Sequence, residues 1–265
     1  MGKSVESSVR AIKRLSAPLY LTGFLFAAST VPDLAFAYRP FDGTDAAVAD
    51  PGEIEIEFQP AGVLGSNGQK MLVAPATVFN FGLVKNWEAV FEGRLERPLS
   101  EPGPASLTDA GAFLKYVILP GVLQDRPGPS IATEFGVLLP DSVGDSHLGA
   151  SIATIISQRW DWGTAHLNIA GALTRDQRPD IFTGIILEGP HKWTVRPVAE
   201  FFYEEEFGQA HTMSALIGAI WQVKDNLSFD VGFRHALVNS THVNELRAGL
   251  TVGFPLRFFN GASRR

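Results

Sequence analysis

The chain has 265 residues, 45% hydrophobic and 19% charged, with 22 Lys and Arg against 28 Asp and Glu and a formal net charge of -6. That composition excludes a disordered chain and lacks the concentrated positive charge of a nucleic-acid binder, while the length suits one large all-β domain. The absence of cysteine excludes a disulfide framework, a thiolate zinc site and a lipid-modified cysteine.

Residues 1–37 read as a cleavable signal peptide. Lys3, Arg10, Lys13 and Arg14 make a basic start, "APLYLTGFLFAASTV" supplies an apolar core of about 15 residues, and Ala35 and Ala37 form an A-x-A site. Cleavage is expected before Tyr38, with export of the remaining chain. An uncleaved anchoring helix fits less well, because the run is short and contains Pro18. No later apolar run approaches the ~20 residues of a spanning helix, so any later membrane contact has to be made by strands. Residues 38–52, "YRPFDGTDAAVADPG", form a lead-in too long for a spacer and able to fold back as a lumen plug.

From Glu53 the apolar period is two. "EIEIEF" sets Glu53, Glu55 and Glu57 against Ile54, Ile56 and Phe58, and "WEAVFEGRLE" and "LSFDVGFRH" alternate in the same way. Cutting at Gly, Pro, Asn and Asp clusters gives twelve segments, over 53–64, 71–83, 87–97, 107–119, 129–139, 148–160, 164–174, 180–188, 193–204, 212–223, 227–236 and 243–254. Their lengths suit tilted membrane strands. The expected fold is therefore an all-β, transmembrane, antiparallel up-and-down barrel of about twelve strands over 53–254, with a short basic tail at 255–265. Connections after even strands look short, and those after odd strands longer and more polar, the first excepted. Pro75 and Pro197 fall inside strands and predict bulges or ladder breaks.

The five tryptophans, Trp87, Trp160, Trp162, Trp193 and Trp221, all fall at the short-turn end of this scheme, as a membrane-interface girdle would. "WDWG" at 160–163 carries the Trp-Asp pair of a propeller blade, but that pair occurs once and a propeller repeats it about every 40 residues.

Alternation places Glu53, Glu55, Glu57, Glu88, Glu92, Arg94, Glu96, Lys115, Glu134, Arg159, His166, Asn168, Arg196, Glu200, Asp230, Arg234, Glu245 and Arg247 on the lumen face, with Ile, Leu, Val, Phe and Ala outward. Acids outnumber bases there. Hydrated, unpaired carboxylates would line a narrow, cation-preferring passage for small molecules. Fully paired, the same residues would pack a closed structural barrel. A third reading is an outer-membrane hydrolase, but "DSHL" (Asp145 to Leu148) and "HTMS" (His211 to Ser214) put neighbours on opposite faces of a strand, and His166 has no serine at i+2. No enzyme activity is expected. The six histidines show no metal-ligand spacing and "EEE" at 204–206 reads as solvated, so neither a metal nor a cofactor is expected. Expected partners are membrane lipids and lipopolysaccharide, the barrel-assembly machinery and a small-molecule solute, with no nucleic acid.

"YRPFDGTDAAVADPGEIEIE", "GPSIATEFGVLLP", "ISQRWDWGTAHLNIAGALT", "PVAEFFYEEEFG" and "LSFDVGFR" together resemble the bacterial outer-membrane family labelled for a MetA pathway of phenol degradation. The resemblance covers about Tyr38 to Phe254. It implies an outer-membrane β-barrel described as a transporter of hydrophobic or aromatic compounds, without site residues to carry over. Such barrels commonly end on an aromatic residue, whereas here "PLRFFNGASRR" follows Phe254.

Overall fold

The computed structural model describes residues 39–100, 103–144 and 147–256. The signal segment, most of the basic tail, and Asp145 and Ser146 of the triad-like tetrapeptide lie outside them. Twelve strands follow one another: β1 (Glu53–Ser66), β2 (Gln69–Val84), β3 (Trp87–Pro98), β4 (Ser106–Leu119), β5 (Ser130–Leu138), β6 (Gly149–Trp160), β7 (Gly163–Leu173), β8 (Pro179–Glu188), β9 (Val195–Glu206), β10 (Ala210–Lys224), β11 (Leu227–Val238) and β12 (Thr241–Pro255). Every end lies within two residues of the sequence expectation. Each strand pairs antiparallel with its neighbours in the chain, and β1 pairs with β12 to close the barrel.

An even strand number leaves both termini at one end, called here the terminal rim, where β1 begins and β12 ends; the opposite end is the loop rim. The outer wall is apolar. Ile152, Ile169, Phe201, Ile217, Val231 and Leu246 are all exposed, an expanse far larger than a water-facing surface tolerates. Glu57, Glu88, Lys115, Glu200, Asp230 and Arg247, by contrast, are buried in the interior. This inside-out distribution is that of a transmembrane barrel.

Two expectations change. The difference between short and long connections largely disappears, because one polar run thought to be a loop is carried mostly as strand and one connection at the terminal rim is long. Glu205 and Glu206 extend β9 and leave residues 207–209 as the turn, while the β4–β5 connection at the terminal rim spans 120–129 and includes a 3-10 turn at Val122–Gln124. The prolines also behave differently from each other. Around Pro75 the register of β2 slips between Val73 and Ala76, which turns Val73, expected outward, into the interior at 1% exposure. At Pro197 the β9–β10 ladder runs without a shift. Its carbonyl accepts from Gly189, just past the end of β8, so the missing N–H costs only the reciprocal bond at the point where the β8–β9 ladder stops.

Candidate functional site

A closed barrel of about twelve strands encloses more space than its own side chains fill, and here the lead-in occupies the terminal half of that space. From Arg39 to Ala49 it is bonded to strands around the wall. Asp42 and Gly43 donate their backbone N–H to the two carboxylate oxygens of Glu200, at 2.9 and 2.7 Å. Thr44 N–H donates to Asn168 Oδ1 at 2.9 Å, and Asn168 Nδ2 returns a bond to the Thr44 carbonyl at 2.8 Å. Ala46 N–H donates to Ser157 Oγ at 2.9 Å and Ala49 N–H to Glu88 at 2.5 Å. The wall thus supplies acceptors for a peptide backbone that would otherwise be buried with its donors unmet.

Charges anchor the lead-in at three further places. Arg247 donates to the Pro40 carbonyl, Asp42 Oδ1 and Glu245 Oε2, each at 2.8 Å. Arg234 bonds Glu245 at 3.2 Å and stands 3.9 Å from Asp42. Arg39 pairs with Asp230 at 3.4 Å and donates to Gln59 at 2.6 Å. Across the lumen, Lys115 Nζ lies 3.6 Å from Asp45 and 3.1 Å from Thr44 Oγ1. Burial alone would raise the Asp42 carboxyl, but Arg247 and Arg234 outweigh it and hold the group at about 2.

Apolar contacts complete the fit. Ala46, with 0% exposure, packs with Leu123, Ala132 and Ile155, so the β4–β5 connection folds under the barrel mouth, and Phe41 lies against Val198 and Ile220. Where the lead-in reaches the wall at the terminal rim, Gly52 N–H donates to the Gly82 carbonyl. A Cβ on Gly82 would overlap the carbonyl oxygens of Ala49 and Asp50. Backbone cannot move aside as a side-chain tip can, so Gly82→Val is expected to displace this end of the lead-in at a cost of about 1–3 kcal/mol. Faster amide exchange at Ala49, with Thr44 unchanged, is the expected reading; unaltered exchange at Ala49 would show that the contact is slack.

The residues assigned to the lumen sort by burial. Glu57, Glu88, Lys115, His166, Asn168, Arg196, Glu200, Asp230, Glu245 and Arg247 are buried. Glu53, Glu55, Arg94, Glu96, Glu134, Arg159 and Arg234 are half-buried, and Glu92 is exposed. Toward the loop rim the side chains are wetter: Arg94 pairs with Glu96 and Asp109, each at 2.8 Å, and the Asp109 side chain keeps 53% exposure. The interior is not polar throughout. Val90, Phe113, Val117, Ile155, Ile186, Val198, Phe202, Leu216 and Ile220 are buried between polar positions, which corrects the expectation of an apolar outer face and a polar inner one. Segments such as "TGIILEG" and "SALIGAIW" are apolar on both faces, so period two does not show which side chains turn in.

Beside the lead-in lies a small recess lined by Asp45, Arg159, His166, Glu188, His191 and Arg196 among others. Burial, then the charges of Arg159, Lys192 and Arg196, hold the His191 imidazole below its usual value. Ser157 Oγ lies 2.8 Å from His166 Nδ1, and His166 Nε2 lies 3.0 Å from Glu188. The sequence concealed this chain, because Ser157 and His166 meet through the β6–β7 register and not through spacing along one strand. It has the residue types of a hydrolytic triad, but Ser157 is fully buried and already accepts the Ala46 N–H, so no substrate carbonyl can reach its oxygen. Among the described residues no three His, Cys, Asp or Glu side chains gather as a metal site.

Of the tryptophans, Trp160, Trp162, Trp193 and Trp221 are exposed and Trp87 is half-buried, all at the terminal rim. Trp160 and Trp162 stack at 5.1 Å, and Trp87 stacks on Tyr116 at 4.5 Å.

No family model matches this chain, and no curated protein does. Among solved structures it is similar to an outer membrane channel from Pseudomonas putida F1, with a TM-score of 0.56 and 11% identity over 81% of this chain and 100% of that one. It is also similar to the KdgM porin in complex with disordered oligogalacturonate, with a TM-score of 0.50 and 9% identity over 76% of this chain and 99% of that one. At such identities the likeness is one of fold, the outer-membrane barrel.

Proposed function

We propose that the protein is an outer-membrane channel for passive movement of small solutes, closed in this conformation by residues 39–49, which act as a plug. The observation that carries this reading is that the terminal half of the lumen is occupied by a separate stretch of backbone and not by side chains of the wall alone. A purely structural barrel would be expected to close with its own side chains, as barrels of about eight strands do. Here the occupant is joined to the wall through side-chain hydrogen bonds and ion pairs, and its withdrawal would leave a lumen lined by Glu88, Lys115, Asn168, Glu200 and Arg247.

The solved structures that share this fold include one named as a channel and one named as a porin, which favours the same class here. The apolar inner positions, with Phe182 and Phe202 at 5.0 Å, suit solutes that carry a hydrophobic or aromatic part. The rim tryptophans are then membrane-interface anchors, and Trp160 and Trp162 belong to seating in lipid, not to selectivity.

Planar-bilayer recording tests the proposal. The parent is expected to conduct rarely, and a chain lacking residues 38–49 to show frequent discrete steps with a moderate preference for cations. Absence of steps from the shortened chain, once its closed barrel is confirmed by heat-dependent gel mobility, would leave a structural barrel as the reading.

A further inference from the structure

Two histidines face each other on the outside of the wall, close to the loop rim. His235 of β11 and His242 of β12 are exposed, among the exposed apolar side chains Phe233, Leu237 and Leu246. The register pairs His235 with Asn244 and Leu237 with His242, so the two imidazoles are diagonal neighbours on one face. The intervening turn is tight, with Asn239 at φ 47 and Ser240 at φ 69, and it fixes that register. His235, His242 and Asn244 thus interrupt an apolar wall, where polar groups depend on one another for partners.

Their geometry is that of a chelate. His235 Nδ1 lies 2.8 Å from Asn244 Oδ1. An amide oxygen only accepts, so Nδ1 carries the proton and Nε2 keeps its lone pair. That Nε2 lies 3.4 Å from His242 Nδ1. Two imidazole nitrogens bound to one tetrahedral ion at roughly 2.0–2.1 Å stand roughly 3.3 Å apart. Without an ion, His242 Nδ1–H donates to His235 Nε2; an ion replaces that proton, which moves to His242 Nε2. A hydrogen-bonded second partner of this kind is what orients metal-binding histidines.

We propose that His235 and His242 bind a borderline divalent cation, Zn²⁺, Cu²⁺ or Ni²⁺, with Asn244 as the positioning residue for His235. Imidazole selects these ions over Mg²⁺ and Ca²⁺, which prefer oxygen. Since among the described residues no set of three His, Cys, Asp or Glu converges on an ion, the remaining positions go to water or to a small external ligand. Binding is weaker than at a closed four-ligand site.

The test uses the full chain without a histidine tag, folded in detergent and titrated with Zn²⁺ by calorimetry and with Cu²⁺ by electron paramagnetic resonance. One ion per barrel is expected, with two nitrogen couplings on Cu²⁺ and no response to Mg²⁺. His235→Ala and His242→Ala should each weaken binding at least about tenfold and leave one nitrogen coupling, while Asn244→Leu weakens it about tenfold. His147→Ala should have no effect. These side chains point away from the lumen, and heat-dependent gel mobility confirms that each variant is folded. Parental affinity in folded His235→Ala or His242→Ala, or no ion bound by the parent, overturns the proposal.

Discussion

Arg247→Met is expected to loosen the lead-in by about 3 kcal/mol, on the order of a hundredfold in the equilibrium between seated and withdrawn states. Methionine keeps most of the packing volume but removes three hydrogen bonds, to Pro40, Asp42 and Glu245. The two carboxylates then keep Arg234, at 3.9 Å from one and 3.2 Å from the other. Breaking one side of a buried charge pair costs more than the pair is worth, because the remaining partner stays desolvated. The measurement is amide exchange at Asp42, Gly43, Thr44 and Ala46, whose N–H groups are bonded to wall side chains. These amides should lose protection together, while strand amides keep theirs. The exposed Arg97 provides the control, and identical exchange in Arg247→Met and Arg97→Met would falsify the anchoring role.

Acid is expected to act through the same anchor from the other side. The Asp42 carboxyl is held at about 2 when seated, against an ordinary 3.8. A depressed value stabilises the seated state fully above the ordinary value, and that contribution is lost as pH falls through the depressed one. The window is therefore about pH 4 down to about 2, and the loss is about 2 kcal/mol. Opening of single barrels in a bilayer should increase across this window. Asp42→Asn lacks the charge at every pH, so it should open more often at neutral pH and respond little to acid. A parent with a flat profile, or an Asp42→Asn chain that still responds between these limits, contradicts the assignment.

Much of the fold was legible because strict alternation survives wherever one wall face is charged. "EIEIEF" and "LSFDVGFRH" state their faces without help from structure, and twelve segments suffice to close a ring. Reading failed where a second influence acts on the same residues. Val73 faces inward because the ladder slips at Pro75, and a one-residue slip reverses every later side chain. Glu205 and Glu206 looked like loop but continue β9 past the point where polarity suggested a turn. The site was less legible than the fold. Glu200, Asn168 and Arg247 could be assigned to the inner face by parity, but nothing in their spacing shows that they hold Asp42, Gly43 and Thr44, more than a hundred residues away. The Ser157–His166 pairing depends on cross-strand register in the same way.

The wall grips the lead-in largely by its peptide groups: the amides of Gly43, Thr44, Ala46 and Ala49 and the carbonyls of Pro40, Thr44 and Ala46 are all bound by side chains of the surrounding chain. Recognition of this sort is largely blind to the side chains it encloses. The lead-in is therefore free to vary at Val48, whereas Ala47, packed against the Ala46–Leu123 cluster, and the acceptors in the wall are not. A short synthetic peptide that reproduces the Pro40–Ala49 backbone would meet the same complement of donors and acceptors when supplied from outside, and could silence a barrel that had lost its own segment.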